Sequence, residues 1–150
     1  MAKKSPVSMD NCGMAMAIDI LGDRWSLLIL RAALYGVTRF DDIRTDINIP
    51  KSVLSQRLAH LVRKGILMKM PYQEEGSRRR FSYEPTEVGK EFTLPLLAIM
   101  QWGDRHVRQG DAPITLTDRA TGQEVNVELA RKYGGSIPVS KMRLRLNATQ

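Results

Sequence analysis

Residues 49–83 read IPKSVLSQRLAHLVRKGILMKMPYQEEGSRRRFSY, and this stretch decides the fold. Val53, Leu54, Leu58, Leu61 and Val62 recur at steps of one, four and three, so a helix through them buries one face. The opposite face carries Lys51, Ser52, Ser55, Gln56, Arg57, His60, Arg63 and Lys64, and no acidic residue lies between Lys51 and Lys69. Gly65 stands where a helix end needs positive φ, and Ile66–Met70 then reads as a strand. A turn at Gln73–Ser77 leads through Arg78, Arg79 and Arg80 into a second strand at Phe81–Tyr83. A polar helix face followed by a basic hairpin is the layout of a winged helix-turn-helix that grips DNA.

Upstream, Thr38 is expected to cap a helix from Arg39 to about Ile47, with Phe40, Ile43 and Ile47 on one side. Asn48-Ile49-Pro50 is the turn, and Pro50 suits the start of the next helix, where its missing N–H costs nothing. Two short helices around a tight turn, the second polar outside, make the helix-turn-helix. Before them, Asp10 or Asn11 is expected to cap a short helix holding Cys12, and Asp23 a central buried helix through Trp25 and Leu30.

Downstream, Thr86 is expected to cap a long helix with Gly89 inside it, more apolar than one small domain can cover. Leu96, Ile99, Met100 and Trp102 on it are therefore candidates for a homodimer contact, although Trp25 and Trp102 also read as core residues. Asp111–Leu129 alternates well enough for a β-hairpin turning at Thr121-Gly122, and Lys141–Leu146 is either another strand or a loose basic tail. The expected architecture is mainly α with a small β part (α+β). It comprises a flexible arm at 1–9, a winged helix-turn-helix domain with a long dimerisation helix at 10–108, and a C-terminal hairpin and basic tail at 109–150.

Charge points the same way. The chain of 150 residues carries a net +7, and residues 51–80, with eight basic and two acidic groups, hold +6 of net charge. Residues 81–130, with four against eight, hold −4, and residues 131–150 hold five basic groups and no acidic one. The excess falls on the helix–wing unit, where it favours nucleic acid over an ordinary solvated surface. No apolar run approaches the ~20 residues that span a bilayer. The first residues lack the apolar core of a signal peptide, and a single cysteine suits a reducing compartment, so the cytoplasm is expected.

Enzyme readings find no support in the residues. There is no nucleophile elbow, Gly-rich phosphate loop, or carboxylate or Cys/His cluster at metal spacing, and no metal or cofactor is expected. Residues placed to meet double-stranded DNA are Thr38 and Arg39 at a helix start, Lys51, Ser52, Ser55, Gln56, Arg57 and His60 on the recognition helix, and Arg78, Arg79 and Arg80 in the wing. Gln56 is the leading specificity residue, since glutamine pairs bidentately with adenine. The rival reading is a winged helix serving as a protein-interaction module, its basic wing facing an acidic partner.

The order of motifs resembles the HxlR-type bacterial transcriptional regulators, relatives of the MarR winged-helix proteins. The matching pieces are Cys12, LGDRWSLLIL at 21–30, Arg39-Phe40 before DDIR, and IPKSVLSQRLAHLVRKGIL at 49–67. Arg80 with Tyr83, TEVG at 86–89 and Trp102-Gly103 complete the set. The resemblance implies a homodimer on a pseudo-palindromic operator, responding in some members to oxidants or electrophiles through a cysteine at the position of Cys12. A small-molecule or electrophile effector is implied on the same ground. The alternative for Cys12 is an inert buried thiol. Asp23-Arg24 departs from the family's usual Gly-Lys, Phe81-Ser82-Tyr83 from its Val-Glu-Tyr, and Pro85 from its leucine.

Overall fold

The structure, a computed structural model, describes residues 4–147. Two compact units result: Val7–Leu96 and, among the described residues, 4–6 with 97–147.

The first unit begins with a 3-10 turn at Met9–Asn11 and helix α1, Gly13–Leu21. Neither Asp10 nor Asn11 caps α1: both fall in the 3-10 turn, and half-buried Cys12 takes the N-cap position without a side-chain bond. Met14, Met16 and Ile18 on α1 are exposed. Helix α2, Arg24–Leu34, starts at Asp23, whose carboxylate accepts the N–H groups of Trp25 and Ser26 at 3.1 and 3.0 Å. Ser26 Oγ donates to the same carboxylate, so its full burial leaves no polar atom unpaired. Ile29, Leu30 and Ala32 carry α2 into the core, while Trp25 packs on the core's edge beneath the Arg24 guanidinium.

Helix α3, Phe40–Asp46, starts one residue later than the sequence suggests, with Arg39 and not Thr38 at the N-cap. Thr38 is engaged elsewhere: its carbonyl accepts the Tyr83 N–H at 2.8 Å. The helix-turn-helix bend uses Asn48 at φ 49, a left-handed conformation that asparagine tolerates better than most residues. Helix α4, Lys51–Arg63, begins behind Pro50 and buries Leu54, Leu58 and Leu61. It ends at Gly65 (φ 71), where Ile66 N–H bonds the Leu61 carbonyl and Gly65 N–H that of Val62, a six-to-one and five-to-two closure that only a left-handed residue permits.

The wing is longer than expected. Strand β1, Leu67–Tyr72, pairs antiparallel with β2, Arg80–Pro85, in the register Leu67↔Pro85 to Tyr72↔Arg80. Arg39 bridges Ser82 on the outer edge of β2, so the start of α3 covers part of an edge that would otherwise be bare. Thr86 caps α5, Glu87–Glu91, accepting the Gly89 N–H at 3.1 Å, and donates its hydroxyl to the Gly65 carbonyl at 2.6 Å. The anticipated single long helix is two: α5 stops at Glu91 and α6 spans Thr93–His106. Pro95 accounts for the break, since it has no N–H to give the Glu91 carbonyl and its ring would crowd that oxygen.

In the second unit the C-terminal segment is anchored by Gln101, whose side-chain amide donates to the Val127 carbonyl at 3.0 Å and accepts the Val127 N–H at 2.9 Å. The hairpin around Thr121-Gly122 is narrow, with one bridge (Thr117↔Glu124) flanked by the Asp118–Gln123 and Val125–Leu116 backbone bonds. Residues 142–147 form no strand pairing, and Leu144 and Leu146 are exposed. Trp102 is 60% exposed, so the core reading of this residue does not hold in the isolated chain.

Candidate nucleic-acid interface

Because Leu54, Leu58 and Leu61 turn inward, the outer face of α4 is fixed by helical geometry. Lys51, Ser52, Ser55 and Gln56 all lie on it and are exposed. Arg57 and His60, expected to continue that face, turn toward the body of the unit and are half-buried. Arg57 Nε stands 3.4 Å from Asp23 Oδ1, and His60 Nε2–H donates to the Ile20 carbonyl at 3.1 Å. These two contacts tie α4 to the α1–α2 junction. Burial pushes the Asp23 carboxyl up, but the hydrogen bonds from Ser26 and Trp25 and the Arg57 guanidinium outweigh it, leaving Asp23 below the usual carboxylate range.

The wing stands beside the start of α4 and leaves a groove of about 350 Å³ between them. Lys51, Arg78, Arg79 and Arg80 line it with Phe40, Tyr72, Phe81 and Tyr83, and Asp41 is its one carboxylate among the described residues. Four cations over an aromatic floor suit a polyanionic backbone better than a neutral ligand. Burial pushes the Tyr83 phenol up, so it stays neutral at physiological pH.

Arg39 adjoins the groove through Tyr72, one of its lining residues. Its guanidinium sits 4.5 Å over the Tyr72 ring, and its Nη1 is 2.7 Å from Glu74 Oε1 in the wing turn. Arg80 reaches toward Asp41 at 3.9 Å. The turn itself is closed by Gly76 at φ 74, the Ser77 N–H on the Glu74 carbonyl, and Gln73 Nε2 on the Ser77 carbonyl. Lys69 places its ammonium 4.0 Å over the Phe81 ring.

A second concavity, about 580 Å³, follows the helix-turn-helix bend and is lined by Arg44, Thr45, Asn48, Ile49, Pro50 and Lys51. Arg44, Asn48 and Lys69 are not among the DNA contacts expected from the sequence, where Asn48 stands only in the turn and Lys69 only in the first strand. Asn48 carried a signal, because asparagine before Ile-Pro marks a left-handed turn residue whose side chain projects outward. Arg44 carried none beyond its charge.

The four dimer candidates divide. Leu96 packs against the core of its own unit, Met100 is half-buried, and Ile99 and Trp102 are exposed at 54% and 60%. The Trp102 ring meets His106 at 5.4 Å. Among the described residues no group of three or more His, Cys, Asp or Glu side chains could hold a metal ion, and no helix is long and apolar enough to cross a membrane.

Comparison with known proteins agrees with this geometry. The profile of the HxlR-like helix-turn-helix family matches residues 20–111. The HTH-type transcriptional regulator Rv3095 of Mycobacterium tuberculosis is 36% identical over 120 residues, covering 79% of this chain and 75% of that protein. The crystal structure of PA1607, a candidate transcription factor, superposes with a TM-score of 0.76 at 30% identity over 91% of this chain and 95% of its own. The likeness to PA1607 thus extends past the family match into the C-terminal unit. YodB of Bacillus subtilis, in its reduced form, gives a TM-score of 0.54 at 27% identity over 67% of this chain and 98% of its own, and its diamide-treated form gives 0.51 at 26%. With a helix-turn-helix, a basic wing and a family match over most of its length, the chain belongs to the HxlR-like helix-turn-helix family, whose members are DNA-binding transcriptional regulators and not enzymes.

Proposed function

We propose that this regulator acts as a homodimer on a pseudo-palindromic operator, with α4 of each subunit in successive major grooves. The observation that carries this reading is the pairing of an exposed Lys51-Ser52-Ser55-Gln56 face with the arginine-lined groove beside it. Bases are read by the helix, Gln56 first, while Arg78, Arg79 and Arg80 follow a phosphate strand or enter the adjacent minor groove. A helix of this length rises ~20 Å, so only its first turns touch bases. Arg57 and His60 act from behind, fixing the angle of α4 through Asp23 and Ile20. Arg44 and Asn48 extend the phosphate contact along the bend.

Ile99 and Trp102 on α6, and Met14, Met16 and Ile18 on α1, supply apolar surface for a second subunit. Cys12 at the start of α1 is the residue through which oxidation would reach that helix. YodB, with structures in reduced and diamide-treated forms, supports a thiol response as the input. With one cysteine per chain, the product is an intersubunit disulfide or a mixed disulfide with a small thiol. Such a regulator works beside the chromosome in the cytoplasm.

The test is fluorescence anisotropy of a duplex carrying the gene's own upstream region against a scrambled duplex, with and without diamide. Preference for the native duplex supports operator recognition, and release by diamide in the wild type but not in Cys12→Ser supports the thiol input. Equal weak binding to both duplexes at every salt concentration overturns the operator reading.

A further inference from the structure

The wing places a carboxylate on a cation that the DNA reading needs. Arg39 stacks on Tyr72, a lining residue of the arginine-rich groove, yet Glu74 occupies its guanidinium at 2.7 Å. Both side chains are about half exposed, at 49% and 55%. An ion pair that open to water contributes little to stability and exchanges readily. The guanidinium is held in place by a second contact, the Tyr72 ring 4.5 Å beneath it, and Tyr72 itself lines the groove. Arg39 therefore keeps its position when Glu74 leaves. Asp41 stands in a similar but looser relation to Arg80, at 3.9 Å. Among the described residues Arg78 and Arg79 have no carboxylate within ion-pair distance, and neither does the neighbouring Glu75 have a cation.

We propose that Glu74 is an internal stand-in for a DNA phosphate, held by Arg39 in the free protein and displaced by the backbone when a duplex enters the groove. This rests on the DNA-binding reading of the same groove and adds to it a residue that sets affinity. The exchange leaves the guanidinium paired before and after, so Arg39 is never bare, and binding carries the cost of expelling Glu74. The wing turn fixes where the expelled carboxylate goes: Gly76 at φ 74 and the Ser77–Glu74 backbone bond keep the Glu74 backbone in place, so the side chain alone swings away. Bound DNA then lies near an unpaired Glu74, which weakens binding further and limits non-specific association.

Glu74→Gln separates charge from shape, because glutamine keeps an oxygen for Arg39 and loses the competing charge. Glu75→Gln removes the same charge from the next residue, which has no such pair. Anisotropy is read on the full chain with a mixed-sequence duplex of about 30 base pairs, long enough for two half-sites, over a series of salt concentrations. Glu74→Gln is expected to tighten binding about threefold to tenfold at low salt, a gain that shrinks as salt screens the pair, with Glu75→Gln under about twofold. Equal gains from the two substitutions would reduce the effect to net charge and overturn the proposal, as would unchanged or weaker binding by Glu74→Gln. If the wild type binds no duplex at any salt, the DNA reading falls first and this proposal with it. If the wild type binds and Glu74→Gln gains nothing, only the stand-in falls.

Discussion

Gly89→Ala places a methyl group against the joint between α4 and the wing. A Cβ at position 89 would fall inside the contact radius of the Ile66 carbonyl oxygen and 3.1 Å from its carbon. That carbonyl cannot yield cheaply, since it accepts the Thr86 N–H at 3.0 Å. An outward shift on the order of 1 Å breaks or bends that bond, at about 1 kcal/mol, and overpacking adds about 1–3 kcal/mol. Alanine returns about 1 kcal/mol through better helix propensity in α5. The steric cost wins, for a net loss of about 1–3 kcal/mol. At about 3–4 °C per kcal/mol for a chain of this length, the midpoint of thermal unfolding should fall by about 3–12 °C. Circular dichroism melts of wild type and variant measure this directly. A midpoint that is unchanged or higher would mean propensity prevails and that α5 does not press on Gly65–Ile66 as described. DNA affinity should fall as well, because Gly65–Ile66 links the end of α4 to the start of the wing.

Three further outcomes follow from the geometry. Asp23→Ala should cost about 1 kcal/mol at neutral pH as a lost N-cap. Because the folded Asp23 carboxyl lies below its unfolded value near ~3.9, its contribution is complete above that value and is lost as pH falls through the folded one. The gap between wild type and Asp23→Ala in urea unfolding should therefore close in acid, and a gap that widens there would contradict the assignment. Arg79→Ala should flatten the dependence of log K on log salt by about 0.9, one phosphate contact, with sequence preference unchanged. An unchanged slope would take Arg79 off the DNA. Trp102→Arg should shift sedimentation toward the monomer with the melting point near that of wild type, whereas an unaltered oligomeric state would remove Trp102 from the subunit contact.

Local chemistry was legible and distant pairing was not. The period of Leu54, Leu58 and Leu61, the left-handed Gly65 and the carboxylate of Asp23 each act within a turn of their own position, so α2, α4 and the wing follow from the residues alone. Arg57 and His60 are polar at positions that a helical wheel assigns to the outside. Their partners, Asp23 and the Ile20 carbonyl, come from far along the chain, 40 residues away for His60, and no local pattern reveals them. The Arg39–Glu74 pair spans 35 residues and is hidden for the same reason. Thr38 met every local rule for a cap, but β2 took its backbone and shifted the helix start. Pro95 was legible and was passed over, since the apolar run from Phe92 to Met100 outweighed it in a reading by periodicity. Trp102 reads from residue type both as core and as a subunit contact, because in one chain a core residue and a surface awaiting a second subunit look alike.

The central claim is that α4 and the wing read DNA as a symmetric pair. Hydroxyl-radical footprinting of the upstream region, at protein concentrations that saturate binding, tests it most directly. Two protected windows are expected, centred about one helical turn, ~34–36 Å, apart on a near-symmetric sequence. Both should disappear together when Lys51→Ala and Gln56→Ala are combined. Uniform protection along the fragment, or a footprint that survives the double substitution, would contradict it.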